Sequence, residues 1–255
     1  MYLFFGQTDD ALCLNLRQAL EERGLQVRVF SDPFAESIRF SWRVGSSSMS
    51  STLVFEDGTR LVDREISGIL LRRTEALATA RTNPDDRRYI RAEIEAATLG
   101  WIWALPCPVV NRVPAWLWYD QRPPARFWSR LLWTHGLQEV RCSERETELS
   151  DLDGFGSLDS AVPSPVYCRA CVIGSAVVWN FARPANLYGY ENALIEFTRC
   201  AGLSFLEVAF AKTSEGTGVK ELDPFPDLNR FCGSSACAIT ETLVALFTDS
   251  NWKSH

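Results

Sequence analysis

The sequence lacks the features of a membrane or secreted protein. No apolar run reaches the ~18 residues that a membrane-spanning helix needs. The apolar start at 1–6 is too short for a signal peptide and has no basic residues before it. We therefore expect a cytoplasmic protein with no membrane partner, in which the eight cysteines are reduced thiols.

Histidine and lysine are also scarce. The only histidines are His135 and His255, and no Gly-x-Ser-x-Gly motif accompanies them, which argues against a Ser-His-Asp hydrolase. No lysine precedes Lys212. The segment 5–11 contains one glycine, so it is not a glycine-rich phosphate loop.

Composition sets broad limits on what remains. The 255 residues, 46% hydrophobic and 23% charged, suffice for one large or two small domains. A net charge of −6 argues against a nucleic-acid partner. Arginine-rich stretches at 81–91 and 122–130 are either local anion sites or solvated helix faces. Tryptophans concentrated at 101–133 indicate either an aromatic core or a partner surface.

Hydrophobic patterning predicts a β-α-β unit at the start of the chain. A strand at 1–6 is followed by Thr8-Asp9-Asp10, which is typical of a helix N-cap. The helix is expected to run to about Arg23 and a second strand to cover 25–30. Such a unit is usually part of a parallel open sheet.

The pattern then predicts further elements up to residue 134. A polar, serine-rich connection is expected at 40–51. Strands are predicted at 52–55, 59–62 and 66–71, with helices at 85–103 and 127–134.

The last third predicts an antiparallel sheet and a closing helix. Two strands at 167–178 flank a Gly-Ser turn, and a third strand follows Gly202-Leu203. The next strand carries Glu221 and Asp223 before Pro224. An amphipathic helix at 238–247 is expected to pack on this C-terminal lobe.

The strand end at Glu221 and Asp223 is the first candidate site. Alternation along a strand points both carboxylates to the same side, and Pro224 and Pro226 stop the strand after them. Two such carboxylates are able to chelate Mg²⁺ or position a polar substrate. The alternative is an exposed strand end whose acids are only solvated.

The order of these C-terminal motifs resembles the C-terminal lobe of ATP-grasp enzymes, whose usual motif there is Glu-x-Asn-Pro. The strands at 52–71, the Arg72-Arg73 pair and Val109-Val110-Asn111-Arg112 resemble the N-terminal domain of ligases that crosslink ribosomal peptides of the graspetide (microviridin) type. The resemblance implies an α/β fold. An open-sheet N-terminal domain would precede a truncated, ATP-grasp-like α+β C-terminal lobe.

The resemblance also implies roles for particular residues. Glu221 and Asp223 match two metal ligands, and Arg169 matches an arginine that meets the acceptor carboxylate or phosphate. A substrate-binding cleft between the domains would be lined by arginines, namely Arg72, Arg73, Arg112 and Arg169. Arg72 and Arg73 have an equal alternative, which is to pair with structural carboxylates such as Glu75.

The chain departs from the family pattern where nucleotide would bind. A central lobe needs on the order of 60–70 residues, but only 29 lie between His135 and Pro165. The lysine that holds the phosphates in the family is missing, since none precedes Lys212. Ala209 stands where the family has a metal-binding Asp, and Asp223 replaces the usual Asn.

Two cysteine pairs suggest a further possibility. Cys168 and Cys171, with Cys232 and Cys237, could form a four-thiolate zinc site. Residues three apart on a strand face opposite sides, however, so buried free thiols are the expected state.

We thus expect an N-terminal domain at 1–114, a linker, helix and shortened lid at 115–164, and a C-terminal lobe at 165–255. The first hypothesis is a diverged ATP-grasp-like protein that binds a peptide or small-molecule carboxylate in a peptide-modifying or natural-product pathway, without the usual ATP chemistry. It would act alone, with a protein partner or as a homodimer. The alternative is an active carboxylate-amine ligase that uses Mg²⁺ and ATP through an acyl phosphate.

Overall fold

The computed structural model describes residues 1–30, 38–45, 49–72, 84–112, 125–140, 166–181, 183–213 and 216–249. The strands are β1 Tyr2–Phe5, β2 Val27–Phe30, β3 Ile38–Val44, β4 Met49–Phe55, β5 Arg60–Val62, β6 Gly68–Leu71, β7 Val109–Val110, β8 Val166–Ile173, β9 Ala176–Trp179, β10 Phe205–Thr213 and β11 Gly216–Asp223. The helices are α1 Ala11–Glu21, α2 Pro84–Ala104, α3 Ala125–Thr134, α4 Tyr190–Cys200 and α5 Gly233–Thr248. None of these helices has the length and apolar content to cross a bilayer.

The predicted β-α-β unit is confirmed as part of a four-stranded parallel sheet in the order β2-β1-β6-β7. All four residues of β1 and of β6 are buried, as expected for a parallel sheet covered on both faces. Asp10 caps α1, because its Oδ1 accepts hydrogen bonds from the backbone N–H groups of Leu12 (2.9 Å) and Cys13 (3.1 Å).

The three-stranded antiparallel sheet β3-β4-β5 corrects one prediction. The stretch 40–51, expected to be a polar connection, lies largely within β3 and β4. The reason is packing against the end of α2. Trp101 donates a hydrogen bond from Nε1 to the buried Ser51 Oγ (2.9 Å), and its ring meets that of Phe40. A serine that satisfies a buried indole N–H therefore belongs to the core, although its polarity predicts a loop.

The C-terminal lobe is a four-stranded antiparallel sheet in the order β11-β10-β8-β9, which confirms the two predicted hairpins. Its two faces lie in different cores. Cys168 packs with Leu132 and Phe197, whereas Cys171 packs with Phe4 and residues of α5. The predicted opposite orientation of these two cysteines is thus confirmed.

The closing helix α5 joins the two four-stranded sheets. It is longer than predicted and packs on α1 as well as on β8 and β9, so the prediction that it serves the C-terminal lobe was incomplete. Phe247 meets the rings of Tyr2 and Phe4 at centroid distances of 5.5 and 6.2 Å. Gly68 makes room for it, since a Cβ there would lie 2.7 Å from Phe247 Cδ1. Burial of a phenylalanine of this kind contributes about 1.5–3 kcal/mol.

Asn111 provides a second, polar link between the sheets. It follows β7 with a left-handed φ of 55° and is fully buried. Its Oδ1 accepts hydrogen bonds from the backbone N–H groups of Ser204 (3.2 Å) and Phe205 (2.9 Å), and its Nδ2 donates to the carbonyl of Pro224. The start of β10 and the exit of β11 are therefore fixed to the edge of the parallel sheet.

Candidate functional site

Strand register places the candidate residues on one face of the C-terminal sheet. Glu207 on β10 lies opposite Cys171 on β8 and Asp223 on β11. Two residues further along β10, Ala209 lies opposite Arg169 and Glu221. Because side chains two apart share a face, both rows point the same way, toward the core that contains α1 and α5.

Glu207 is the centre of this face, and the sequence analysis did not identify it. Its side chain is 1% exposed, and its Oε1 accepts hydrogen bonds from Arg169 Nη1 and Arg230 Nη1 (3.4 Å for the latter). Its Oε2 has no hydrogen-bond partner among the described residues. Burial raises the pKa of this carboxyl, and the two nearby arginines only partly offset that effect.

The proline-rich turn after β11 returns an arginine to Glu207 and Asp223. Asp223 Oδ1 accepts from the N–H of Phe225 (2.9 Å), and its Oδ2 accepts from Arg230 Nη1 (3.2 Å). Asp227 caps the short helix Leu228–Arg230 by accepting from the N–H of Asn229 (3.0 Å). Asn180 donates a hydrogen bond to the Arg230 carbonyl (2.9 Å) and so holds the arginine in this position. Because Asp223 accepts from both Phe225 and Arg230, each of its carboxylate oxygens already has a hydrogen bond.

Glu221 is held much more loosely than Glu207. Its Oε2 lies 3.9 Å from Arg169 Nη1, and its side chain is 48% exposed. Arg169 itself is 18% exposed and makes its short contact with Glu207. A distant, exposed ion pair contributes little to stability. Among the carboxylates Glu207, Asp223 and Glu221, Glu221 is therefore the one whose contact with an arginine is most easily replaced.

The predicted substrate arginine Arg72 lies in a buried ion pair. Its Nε donates to Asp10 Oδ2 (2.9 Å), and its Nη1 is buried without a hydrogen-bond partner in the described part of the chain. Burial raises the pKa of the Cys171 thiol, Glu207 and Asp223 raise it further, and Arg72 lowers it. Arg72, beside the parallel sheet, and the two carboxylates of the C-terminal sheet thus shift the pKa of the same thiol in opposite directions.

The other two predicted substrate arginines differ from Arg72. Arg73, together with Glu75, lies outside the described residues. Arg112 donates to the carbonyls of Trp103 (3.2 Å), Leu105 (2.9 Å) and Cys107 (3.2 Å), and its guanidinium lies over the Trp103 ring. These bonds satisfy carbonyls at and just after the end of α2, which gives Arg112 a structural task.

The cysteines form no metal site among the residues that the structure describes. Burial raises the pKa of Cys168 to about 11. Cys232 differs, because hydrogen bonds from the Ser234 and Ser235 hydroxyls lower its pKa to about 6. The described cysteines form no disulfide. Cys168 and Cys171 are buried as expected, whereas Cys232 is half-buried and Cys237 exposed, so the expectation of burial was wrong for the second pair.

The three carboxylates Glu207, Glu221 and Asp223 do not fit a divalent cation as they stand. No group of three His, Cys, Asp or Glu side chains in the described ranges is arranged to hold a metal. Asp223 has both oxygens engaged, and Arg169 or Arg230 faces each of the three carboxylates. Ala209 occupies the position at which the family resemblance expects an Asp, directly opposite Glu221.

Comparison with known proteins identifies the fold. No protein-family model and no curated protein matches the sequence. The macrocyclase MdnC of Microcystis aeruginosa, bound with precursor peptide MdnA, is 15% identical with a TM-score of 0.69 over 95% of this chain and 98% of that one. A RiPP-associated ATP-grasp ligase of Chryseobacterium gregarium, in complex with ADP and a leader and core peptide, is 11% identical with a TM-score of 0.71 over 99% and 98%.

A third solved structure, the ATP-grasp ligase PsnB complexed with minimal precursor, Mg and ADP, is 14% identical with a TM-score of 0.68 over 97% of each chain. At these identities the likeness is one of fold. The predicted α/β fold of the ATP-grasp peptide ligases is confirmed.

Proposed function

We propose that this protein, which has the fold of the ATP-grasp peptide ligases, binds a carboxylate-bearing peptide between its two four-stranded sheets without carrying out Mg-ATP chemistry itself. It would serve the modification of a ribosomally made peptide, alone or with a protein partner. The observation that carries the proposal is that arginines contact Asp223 and Glu221, the two positions at which the family resemblance implies Mg²⁺ ligands, while Ala209 replaces the third.

The peptide part of the proposal is supported by the structural neighbours. Two of the three were solved with a precursor peptide or its minimal form, and the third with leader and core peptides. The match extends over at least 95% of both chains in each comparison, so it includes both sheets and the α5 connection between them. A peptide bound between the sheets would meet residues from both halves of the chain.

We assign the contact with a peptide carboxylate to Arg169. Its partner Glu221 is distant and half exposed, so an incoming carboxylate can replace Glu221 while Arg169 keeps its contact with Glu207. Arg72 and Arg73 are proposed to contribute positive charge from the opposite sheet, and Arg112 to support that wall through its carbonyl contacts. The domain division at 1–114, 115–164 and 165–255 belongs to the same proposal.

The alternative is an active ligase, and one observation favours it. Structures of comparable fold contain ADP and Mg, at near-complete coverage of both chains. In that case Glu221 and Asp223 would hold Mg²⁺ and Arg169 the phosphate or acceptor. It requires Arg230 to release Asp223, and a nucleotide lid from residues that lie outside the described ranges or from another chain.

Two titrations of the purified full chain separate these functions. We expect no calorimetric signal with Mg-ATP. We expect saturable binding, by fluorescence polarisation, of a fluorescently labelled synthetic peptide rich in Asp and Glu. Arg169→Gln should weaken peptide binding at least ~10-fold, because a charge-assisted hydrogen bond is lost. Arg199→Gln, in an exposed pair with Glu196, is the matched control and should bind normally.

The opposite result is equally clear. Binding of Mg-ATP that disappears in Glu221→Ala, together with ATP-dependent loss of water from the peptide by mass spectrometry, would establish the ligase instead. If no acidic peptide bound and Mg-ATP also gave no calorimetric signal, peptide recognition would be refuted.

A further inference from the structure

We infer that β3, at the edge of the three-stranded sheet, is a docking site for an extended, acidic segment of a partner polypeptide. The segment would join the sheet as a further strand and place one carboxylate beside Arg39 and another beside Arg43. The inference goes beyond the proposed function and does not depend on it. The three-stranded sheet and α2 pack on one face of the parallel sheet, whereas Glu207 and the proposed peptide site face the core on its other side.

Among the described strands, β3 has a partner on one side only. It pairs with β4 along all seven of its residues and is the outermost strand in the order β3-β4-β5. The outer side of an edge strand carries backbone N–H and C=O groups that accept a further strand. Because the usual strand length is about five or six residues, β3 is long enough to pair with a complete strand.

The two arginines of β3 lack the partners that other surface arginines have. Arg17, Arg23 and Arg199 each contact a carboxylate. Arg39 and Arg43 are exposed and form no ion pair with the residues that the structure describes. Acids are not scarce, since the chain has 32 Asp and Glu against 26 Lys and Arg. The carboxylates of a partner would therefore meet guanidinium groups that give up no existing ion pair.

Strand register extends the positive charge across the sheet. Arg39 lies opposite Val54 on β4, and Val54 lies opposite Arg60 on β5, so these three side chains share one face. Arg60 is exposed and also has no ion pair within the described ranges. Arg43 lies opposite Ser50, so the neighbouring strand does not neutralise it. This outer face thus concentrates positive charge on a chain whose net charge is −6.

Charge determines which strand can join β3. A second copy of β3 would bring arginine beside arginine, and like charges directly opposite destabilise a strand pair. Acidic residues opposite Arg39 and Arg43 would instead form cross-strand ion pairs. The described part of the outer face exposes no aromatic or large apolar side chain, which base stacking or membrane insertion would require. An acidic polypeptide strand is therefore the occupant that fits.

The alternation of β3 also predicts the sequence of the occupant. Arg39 and Arg43 are four residues apart, about 13 Å along a strand, so the two acids of the occupant are also four residues apart. The positions beside Phe40 and Trp42, whose side chains pack partly buried on the other face, favour apolar residues. The expected pattern is acid, apolar, any residue, apolar, acid.

The test compares two labelled synthetic peptides of the same composition by fluorescence polarisation. One contains Glu-Val-Thr-Val-Glu, which matches the pattern. The other contains Val-Glu-Thr-Glu-Val, which can place only one glutamate opposite an arginine. The first should bind the purified full chain saturably, and the second at least ~3-fold more weakly. Binding of the first peptide should also slow hydrogen exchange of the backbone amides at 38–44, because an added strand pairs with β3.

Variants of the two arginines test the ion pairs. The double variant Arg39→Gln, Arg43→Gln should bind the first peptide at least ~5-fold more weakly, because two cross-strand ion pairs are lost. Arg130→Gln is the matched control, since Arg130 is an exposed arginine of α3 that also has no ion pair in the described part of the chain. The double variant Arg39→Glu, Arg43→Glu should instead bind Lys-Val-Thr-Val-Lys, and this gain guards against loss of binding through misfolding.

The inference would be overturned if the two peptides bound equally, or if the Arg39→Gln, Arg43→Gln variant bound the first peptide as wild type does. Unchanged hydrogen exchange at 38–44 in the complex would also contradict it, as would arginine-dependent binding of single-stranded RNA or anionic vesicles in place of the peptide. The preference for the first peptide should persist in Arg169→Gln, in which the proposed carboxylate contact is absent. Failure at β3 and failure of the proposed function are therefore separate results.

Discussion

The two sheets hold their arginines in different ways. Beside the parallel sheet, Arg72 pairs with one carboxylate of the described residues, that of Asp10, whose other oxygen caps α1. At the C-terminal sheet, Arg169 of β8 and Arg230 of the short helix Leu228–Arg230 share Glu207. Arg169 also approaches the half-exposed Glu221, and Arg230 approaches Asp223 and Asp227. A closed ion pair, which has a single partner on each side, stabilises one structure, because loss of either partner leaves the other charge unpaired. In the shared set, which comprises Arg169, Arg230, Glu207, Asp223 and Glu221, one partner can be exchanged while the other charges stay paired. In the proposed function the C-terminal sheet would make the direct contact with the peptide, and the Arg72–Asp10 pair would mainly hold the facing wall in place.

The largest expected effect comes from breaking the closed pair. Arg72→Met should lower the free energy of unfolding by about 3 kcal/mol, because it leaves the largely buried Asp10 carboxylate without its counter-charge. Arg17→Met, which breaks the exposed pair with Glu21, should cost about 0.5 kcal/mol or less. Urea unfolding followed by circular dichroism measures both. A near-neutral Arg72→Met that weakens peptide binding would instead make Arg72 a substrate contact and end the distinction between the sheets.

The sequence predicts the frame better than it predicts the site. Apolar runs and the cap at Asp10 are local signals, so the β-α-β unit and both C-terminal hairpins could be placed in advance. Glu207 was missed because it is one acid within the apolar run 205–211, and its burial depends on how β10 aligns with β8 and β11. The one available signal was the position itself, an acid at a place in the strand where alternation expects an inward side chain.

Arg230 was missed for a different reason. It lies seven residues after Asp223, beyond two prolines, and no periodicity links the two positions. Only the turn capped by Asp227 and the hydrogen bond from Asn180 bring it back to the strand end. The absence of an Asp at Ala209, in contrast, was visible in the sequence, and the strand register places Ala209 opposite Glu221.

A smaller, pH-dependent effect on stability is expected at Glu207, the carboxylate that Arg169 and Arg230 share. Burial raises the pKa of Glu207 above its ordinary value of 4.5, so the folded state retains a proton that the unfolded state releases as pH rises. Below that value the carboxyl is protonated in both states and contributes no pH dependence. Above it, wild-type stability falls until the raised pKa is passed. Glu207→Gln lacks this fall, so its stability relative to wild type should increase with pH through the acidic range, measured by urea unfolding at stepped pH.

The opposite trend would change the account of the site. If the stability of Glu207→Gln relative to wild type fell as pH rises, the attraction of Arg169 and Arg230 would outweigh the effect of burial and keep the Glu207 carboxylate ionised. The pair would then resemble the closed one at Arg72 and Asp10. Glu221→Gln measured in parallel is the matched control, because its carboxyl is on the same face but half exposed.

The smallest effect on stability is expected at Glu221, and it distinguishes binding from structure most directly. Its 3.9 Å contact with Arg169 is exposed, so Glu221→Gln should change the free energy of unfolding by about 0.5 kcal/mol or less. The same change frees Arg169 for an incoming carboxylate, so peptide affinity should stay equal or rise. An active Mg-ATP ligase would show the reverse, since Glu221 would then be a metal ligand and its loss would abolish turnover. The Glu221→Gln variant, measured by unfolding and by peptide titration, thus tests whether Glu221 competes with the substrate for Arg169 or holds a metal.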